Sequence, residues 1–343
     1  MFCYNNSVVM NDMERIFSEP LAWKEFEGKR VLVTGATGHI ASYITFFLIY
    51  LKRERNIKVD ITILCRTPQK AERLFDEFIG KGEINVLYQD VTQPIIEGRY
   101  DYIFHLAGNA SPYFIKNDPM GILDANLKGT KNVLNLAKES NAKVFFASTR
   151  EVYGKVENLS RLTEKDFGMI DCLDARSCYP ESKRAAETML YSAYIQYGIP
   201  VYIVRIAHSY GPGMNTQNDG RIMSDLIGNA ARKEDIVLKS KGEALRAFCY
   251  ISDTVSGCFY AVMKGRPGEA YNLSNETEEI SVRELAQEIA DMVETKVKFD
   301  IADDSAVYCN YARVGLDTGK IESLGWRPKV SLRLGLEKTI SCV

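Results

Sequence analysis

From Arg30 onward the chain alternates short β-branched and apolar runs with longer amphipathic stretches, and this alternation constrains the fold more than any other feature. The strand-like runs are 30–34 (RVLVT), 59–65 (VDITILC), 84–88 (INVLY), 101–106 (DYIFHL), 143–148 (KVFFAS) and 200–206 (PVYIVRI). Helical patterns occupy about 39–52, 68–79, 118–139 and 179–197. Strands that are apolar along their whole length are buried on both faces, so the series predicts an α/β fold with a doubly wound parallel sheet. After Tyr210 the rhythm loosens and Gly211-Pro212-Gly213 breaks the chain. The shorter, mixed elements beyond it predict a smaller C-terminal lobe over the carboxyl ends of the strands, where such sheets bind ligands.

Composition removes several function classes. The 343 residues are 46% hydrophobic and 26% charged, a globular balance, and a net charge of -2 gives no global attraction for nucleic acid or anionic membrane. The longest apolar run, Ile44 to Leu51, is too short to span a bilayer. Residues 1–20 lack the basic start, apolar stretch and cleavage site of a secretory signal, so a cytoplasmic protein is expected. The eight cysteines form no Cys-x-x-Cys pair and the three histidines lie far apart, which supports neither a metal site nor a Ser-His-Asp triad.

The segment Thr34-Gly35-Ala36-Thr37-Gly38-His39-Ile40-Ala41 follows the first strand and opens the first helix. Small residues there let the backbone turn tightly and approach a pyrophosphate at the positive end of the helix. A structural turn is the plainer alternative, but the strand–loop–helix context marks Gly35, Thr37, Gly38, His39 and Ile40 as cofactor-binding candidates. The chain then divides into an N-terminal extension (1–28), a dinucleotide-binding domain (29–212, with 246–264 returning to it) and a mainly substrate-binding lobe (213–343). The extension shows no strand pattern and is expected to pack on the surface or order at an interface. The second strand ends Cys65-Arg66-Thr67 without the acid that would bind a free ribose 2′-hydroxyl. Arg66 either pairs with the 2′-phosphate of NADP or is a solvated arginine at a helix start; both readings stay open.

Tyr179-Pro180-Glu181-Ser182-Lys183 begins a helix, with Pro180 suited to its first turn. Spacing of four places Tyr179 and Lys183 on one face, where the ammonium is expected to lower the phenol pKa and make a base. Such a pair is common by chance and gains meaning only with the glycine loop and with Ser148-Thr149-Arg150-Glu151-Val152-Tyr153-Gly154 at the end of the fifth strand. That element sets a hydroxyl and a carboxylate at the mouth of the sheet, against the plainer reading of a capping threonine and a solvated glutamate.

Together these residues resemble the extended short-chain dehydrogenase/reductase family of NAD-dependent epimerase/dehydratase type, a Rossmann-type fold, over about residues 30 to 330. The likeness is nearest to UDP-glucuronate decarboxylases and sugar-nucleotide 4,6-dehydratases. It is carried by His105-Leu106-Ala107, Ala110-Ser111-Pro112, STREVYG at 148–154, CYPESKRAAE at 178–187, RIAHSYGPGM at 205–214, NDGR at 218–221, RAFCYISD at 246–253 and Leu324-Gly325-Trp326-Arg327-Pro328. The resemblance implies a catalytic set of Thr149, Glu151, Tyr179 and Lys183, and a tightly held NAD. It adds Asp90, Val91, Leu106 and Ala107 to the dinucleotide contacts, with Tyr179 and Lys183 reaching the cofactor as well. Its substrate contacts fall on Ser111, Arg150, His208, Arg221, Arg246 and Arg313, with Arg246 and Arg313 gripping the diphosphate. It also implies a homodimer paired through the 118–139 and 179–197 helices, where Met120, Leu123, Leu127, Met189, Leu190 and Tyr194 are the apolar candidates. Ordinary packing against the sheet is the alternative.

Three positions depart from the family's pattern. Arg150 replaces the Asp of the dehydratases and the usual Ser of the decarboxylases. His208 stands where an Asn contacts substrate, and Lys239 replaces an aromatic that stacks on the base, which puts uridine specificity in question. Oxidation at C4 of the sugar of a sugar nucleotide is common to the family. Loss of the C6 hydroxyl then needs a general acid, and arginine is too basic to serve. Decarboxylation of an anionic sugar therefore leads, with 4,6-dehydration, 4-epimerisation and 4-ketoreduction open. A non-catalytic sensor or scaffold on the same fold is the alternative of another class.

Overall fold

The computed structural model describes residues 2–96, 98–156, 159–217, 219–301 and 315–343. The central sheet has seven strands: β1 (Arg30–Thr34), β2 (Asp60–Cys65), β3 (Ile84–Tyr88), β4 (Tyr102–His105), β5 (Lys143–Thr149), β6 (Val201–Ile206) and β7 (Glu269–Leu273). All neighbours run parallel, in the order β3-β2-β1-β4-β5-β6-β7. The winding direction reverses between β1 and β4, and sheets of this kind bind ligands in the crevice at that point, at the carboxyl ends of the strands.

Helices cover both faces of the sheet. On one lie α2 (His39–Glu54) and α8 (Ile251–Lys264); on the other lie α5 (Pro119–Ser140) and α6 (Cys178–Tyr197). α3 (Pro68–Gly80) packs beside β3. Every residue from Ala41 to Leu51 in α2 is buried. A helix that is apolar all round needs cover on its outer side. α8 and an N-terminal helix, α1 (Ser7–Phe17), provide it.

Here the structure departs from the expectation for residues 1–28. Val9, Met13 and Ile16 of α1 have 0% exposure and join the main core, while Ser7, Asn11 and Glu14 stay exposed, so this segment buries one face in the core. Each such side chain stabilises by about 1.5–3 kcal/mol as an upper estimate. The hint lay in the partner: the over-apolar α2 had to be covered by something.

The chain beyond Tyr210 also holds a surprise. α8 packs on the sheet, and β7 follows it and adds a seventh strand beside β6. EAYNL alternates too little and is too short to stand out as a strand. The lobe itself is built from α7 (Ile222–Ala231), α9 (Val282–Met292) and two-stranded pairs that join 236–238 to 297–299 and 245–247 to 279–281. Among the described residues, no helix is long and apolar enough to cross a membrane.

Candidate active site

The crevice begins where β1 and β4 end. Gly35 has φ +67°, and a Cβ there would lie 2.8 Å from the Ala107 Cα, so only glycine lets the two loops meet. The Thr34 hydroxyl accepts from the Leu106 and Ala107 amides, both at 3.2 Å, and bonds His105 Nδ1 at 2.8 Å, which ties the two strand ends together. Gly38 precedes α2 without a side-chain cap, so the first amides of α2 have no side-chain partner at their positive end. Thr37 and Ile40 are half-buried on either side of this turn. The glycine cradle and the uncapped helix start fit a dinucleotide pyrophosphate.

His39, the first residue of α2, lies against the backbone of Pro212 and Gly211, and its buried Nε2 has no partner among the described residues. Burial, then the nearby Arg221, lowers its pKa to about 3, which keeps the ring neutral. Asp90, just beyond β3, accepts from the Thr92 amide at 2.9 Å and meets Arg66 at 3.4 Å. Burial would raise its pKa, but the Thr92 bonds and Arg66 outweigh it and hold the carboxylate low. Arg66, the candidate partner of an NADP 2′-phosphate, thus already has its charge answered. Val91 is buried against Gly129 of α5, whose Cβ would approach the valine to 2.9 Å.

The catalytic candidates converge across β5 and α6. Lys183 Nζ donates to the Ala147 carbonyl at 2.7 Å and lies 4.4 Å from the centre of the Phe146 ring. Burial lowers the lysine to about 7, against the opposing pull of Glu187. Tyr179 is buried at the start of α6 and hydrogen-bonded to Thr149. The sequence led us to expect a phenol pushed down by the ammonium. Instead burial and then the Glu151 carboxylate push it up, while Thr149, Arg221 and Arg176 pull the other way. Desolvation wins in the unliganded protein, so the proton stays on Tyr179 until ligands change the local charge.

Glu151 sits in a short 3-10 turn (Arg150–Tyr153) that Thr149 caps through the Glu151 amide at 3.2 Å. Arg176 pairs with its carboxylate at 3.3 Å. Arg176 escaped the sequence reading because its partner lies 25 residues earlier. Arg150 is half-buried beside it. Ser111 and Arg221 are brought together through the buried Asp219: Ser111 donates to its carbonyl at 2.8 Å, and Arg221 ion-pairs its carboxylate. Arg221 is near enough to both His39 and Tyr179 to act on each electrostatically.

His208 follows β6 with a left-handed φ of +44° and lies 5.7 Å from the Phe248 ring, centre to centre. Arg246 lies on the 245–247 strand and donates to the Leu245 carbonyl at 2.7 Å. Arg313 lies outside the described residues. Two further polar side chains, Asn126 and Glu187, back the pair. Asn126 is buried and donates to Ser182 at 2.8 Å. Glu187 stands one helical turn beyond Lys183, a spacing visible in the CYPESKRAAE motif.

A parallel sheet with a glycine-cradled helix start at its switch point, beside a hydroxyl, a phenol and a buried ammonium, defines a nicotinamide-dinucleotide-dependent enzyme class. The profile of the NAD dependent epimerase/dehydratase family matches residues 31–274, and the chain belongs to that family. Its cofactor is therefore NAD. The chain is 34% identical over 307 residues to UDP-glucuronic acid decarboxylase 6 of Arabidopsis thaliana, covering 90% of this chain and 86% of the relative. It is 33% identical to UDP-glucuronic acid decarboxylase 1 of Xenopus tropicalis, covering 96% of this chain and 77% of the relative. Among solved structures, the fold matches an epimerase of Methanothermobacter thermautotrophicus with TM-score 0.80 at 22% identity, covering 98% of this chain and 95% of that one. It also matches the dTDP-glucose 4,6-dehydratase of Streptomyces venezuelae with TM-score 0.78 at 23% identity, covering 91% and 96%.

Proposed function

We propose that this protein oxidises C4 of a nucleoside-diphosphate hexuronate and releases its carboxyl carbon, the activity of a UDP-glucuronate decarboxylase. The observation that carries the reading is the side chain at position 150. Between Thr149 and Glu151 stands an arginine, which has no proton to give a leaving hydroxyl but suits an anionic substituent at C5. Likeness to decarboxylases over 90% of the chain supports the same choice.

The glycine loop, Asp90, Leu106 and Ala107 would hold NAD, which when bound accepts the C4 hydride and returns it. Tyr179 takes the C4 hydroxyl proton, Thr149 hydrogen-bonds the same oxygen, and Lys183 supplies the positive charge that favours phenolate. The ketone at C4 makes the C5 carboxylate a β-keto acid, whose carbon–carbon bond breaks to give carbon dioxide and an enolate. The enolate then takes a proton at C5 from a solvent water that Glu151, paired with Arg176, orients, and Arg150 orients the departing carboxylate. Ser111, His208 and Arg221 line the sugar side, while Arg246 and Arg313 take the diphosphate.

In this reading the protein works in the cytoplasm, where its seven described cysteines, all free thiols, stay reduced. It works as a homodimer through α5 and α6. Leu190 is fully buried and Met189 and Tyr194 pack on the core, so the pairing would rest on exposed Met120, Tyr191 and Ile195. Light scattering is expected to give a dimer; monomer alone at micromolar concentration would count against it.

The deciding experiment offers purified protein UDP-glucuronate and UDP-glucose separately and weighs the products. Loss of carbon dioxide from the first, with the second unchanged, is expected. Loss of water from UDP-glucose would make the protein a dehydratase. In the Arg150→Ser variant, affinity for the uronate should fall about tenfold more than for the neutral hexose, the value of one charged hydrogen bond.

A further inference from the structure

Behind the catalytic pair lies a charged cluster that the reaction chemistry does not use. Glu187 accepts from the Ser148 hydroxyl at 2.5 Å and from Arg205 at 2.7 and 3.1 Å, and both partners of the ion pair are largely buried. Ser148 and Arg205 are themselves register partners on β5 and β6. Arg205 is drawn further back, to the Tyr153 hydroxyl at 3.0 Å and the Glu164 carbonyl at 3.1 Å, and Tyr153 donates to Asn272 at 2.6 Å. One carboxylate thus joins α6 to the ends of two strands.

The placement of this joint matters. Ser148 lies between Ala147, whose carbonyl receives Lys183, and Thr149, which bonds Tyr179. We propose that Glu187 is a positioning residue for the catalytic pair: clamped by Ser148 and Arg205, its carboxylate fixes α6 against β5 and sets the electrostatic potential at the Lys183 ammonium. The inference rests on the reading that Tyr179 and Lys183 perform C4 oxidation.

The groups around Lys183 favour this role. His105 faces it from β4 but is neutral, its pKa lowered to about 3 by burial and by Lys183 itself. Asn126 on α5 and Ser182 on α6 are uncharged, and burial keeps Tyr179 protonated. Arg205 on β6 points its remaining donors away, toward Tyr153 and Glu164. Among the described residues, Glu187 is the anion acting on the lysine, and it opposes the burial that lowers it.

The test follows the Lys183 side chain by NMR in lysine-labelled protein, comparing wild type with Glu187→Gln, and records turnover against pH for both. Lys183 should titrate near pH 7 in the wild type, and in Glu187→Gln its midpoint should fall by at least about half a unit. The alkaline limb of the turnover profile should move down equally, with kcat reduced about tenfold and KM within about twofold. An unmoved midpoint and limb in a folded Glu187→Gln protein overturn the proposal. Ser148→Ala removes only a neutral hydroxyl and serves if Glu187→Gln does not fold; it should lower kcat several-fold without changing KM, and an unchanged kcat contradicts the clamp. A wild type that turns over no nucleotide sugar would sink the reaction, while the NMR midpoints would still judge the clamp.

Discussion

Two buried charges in this protein have opposite surroundings. Asp12 of α1 has 0% exposure, and its carboxylate is answered by Tyr43 of α2 at 3.2 Å, Tyr250 at 2.7 Å and Lys338 at 2.5 Å. Burial raises its pKa, and all three partners pull it back. Lys183 is also buried, yet among the described residues its ammonium makes a single hydrogen bond, to Ala147, and burial outweighs Glu187. The saturated charge holds layers together; the under-served one keeps donors for a ligand. A buried ion with every bond made is architecture, and one left short of partners marks chemistry.

The contrast can be broken by substitution. Asp12→Ala leaves Lys338 and two tyrosine hydroxyls without their acceptor, so urea unfolding should show a loss of about 3–5 kcal/mol. The folded fraction should keep its turnover within about twofold; a large loss of activity in stable protein would make α1 part of the site.

Tyr179→Phe should do the reverse. Turnover should fall at least about a hundredfold, as for loss of a general base, while the melting temperature holds or rises. Near-normal turnover would remove Tyr179 from the chemistry.

Lys183→Met is expected to end turnover and to stabilise the fold by about 1–3 kcal/mol near neutral pH. The sign follows from a folded-state pKa of about 7, below the lysine's ordinary value of about 10.4. Between those values the unfolded chain holds the proton more tightly. The charged lysine's full penalty therefore applies below pH 7 and fades as pH rises toward 10. The gain from methionine should shrink over the same window, and denaturant titrations at several pH values will show whether it does.

The two charges also differed in how well the sequence announced them. Tyr179 and Lys183 share one helical turn, and the glycine loop lies between a strand and a helix that periodicity alone defines. Such local features survive reading one residue at a time. Asp12 sits in an ordinary polar stretch, and the partners that explain it are 238 and 326 residues away. The Glu187 clamp and the Arg176–Glu151 pair were hidden for the same reason, although Glu187 stood in a motif already singled out. β7 escaped because a five-residue strand takes its identity from its neighbour β6. The phenol's raised pKa was missed because spacing reveals a neighbouring charge but not the depth of burial that overrides it.

The central claim is that this site oxidises C4, lets the carboxylate leave and returns the same hydride. UDP-glucuronate carrying deuterium at C4 tests it directly. The account predicts carbon dioxide release and a pentose nucleotide that retains deuterium at C4, with none of the label in solvent. A product with protium at C4, or turnover without carbon dioxide, would contradict it.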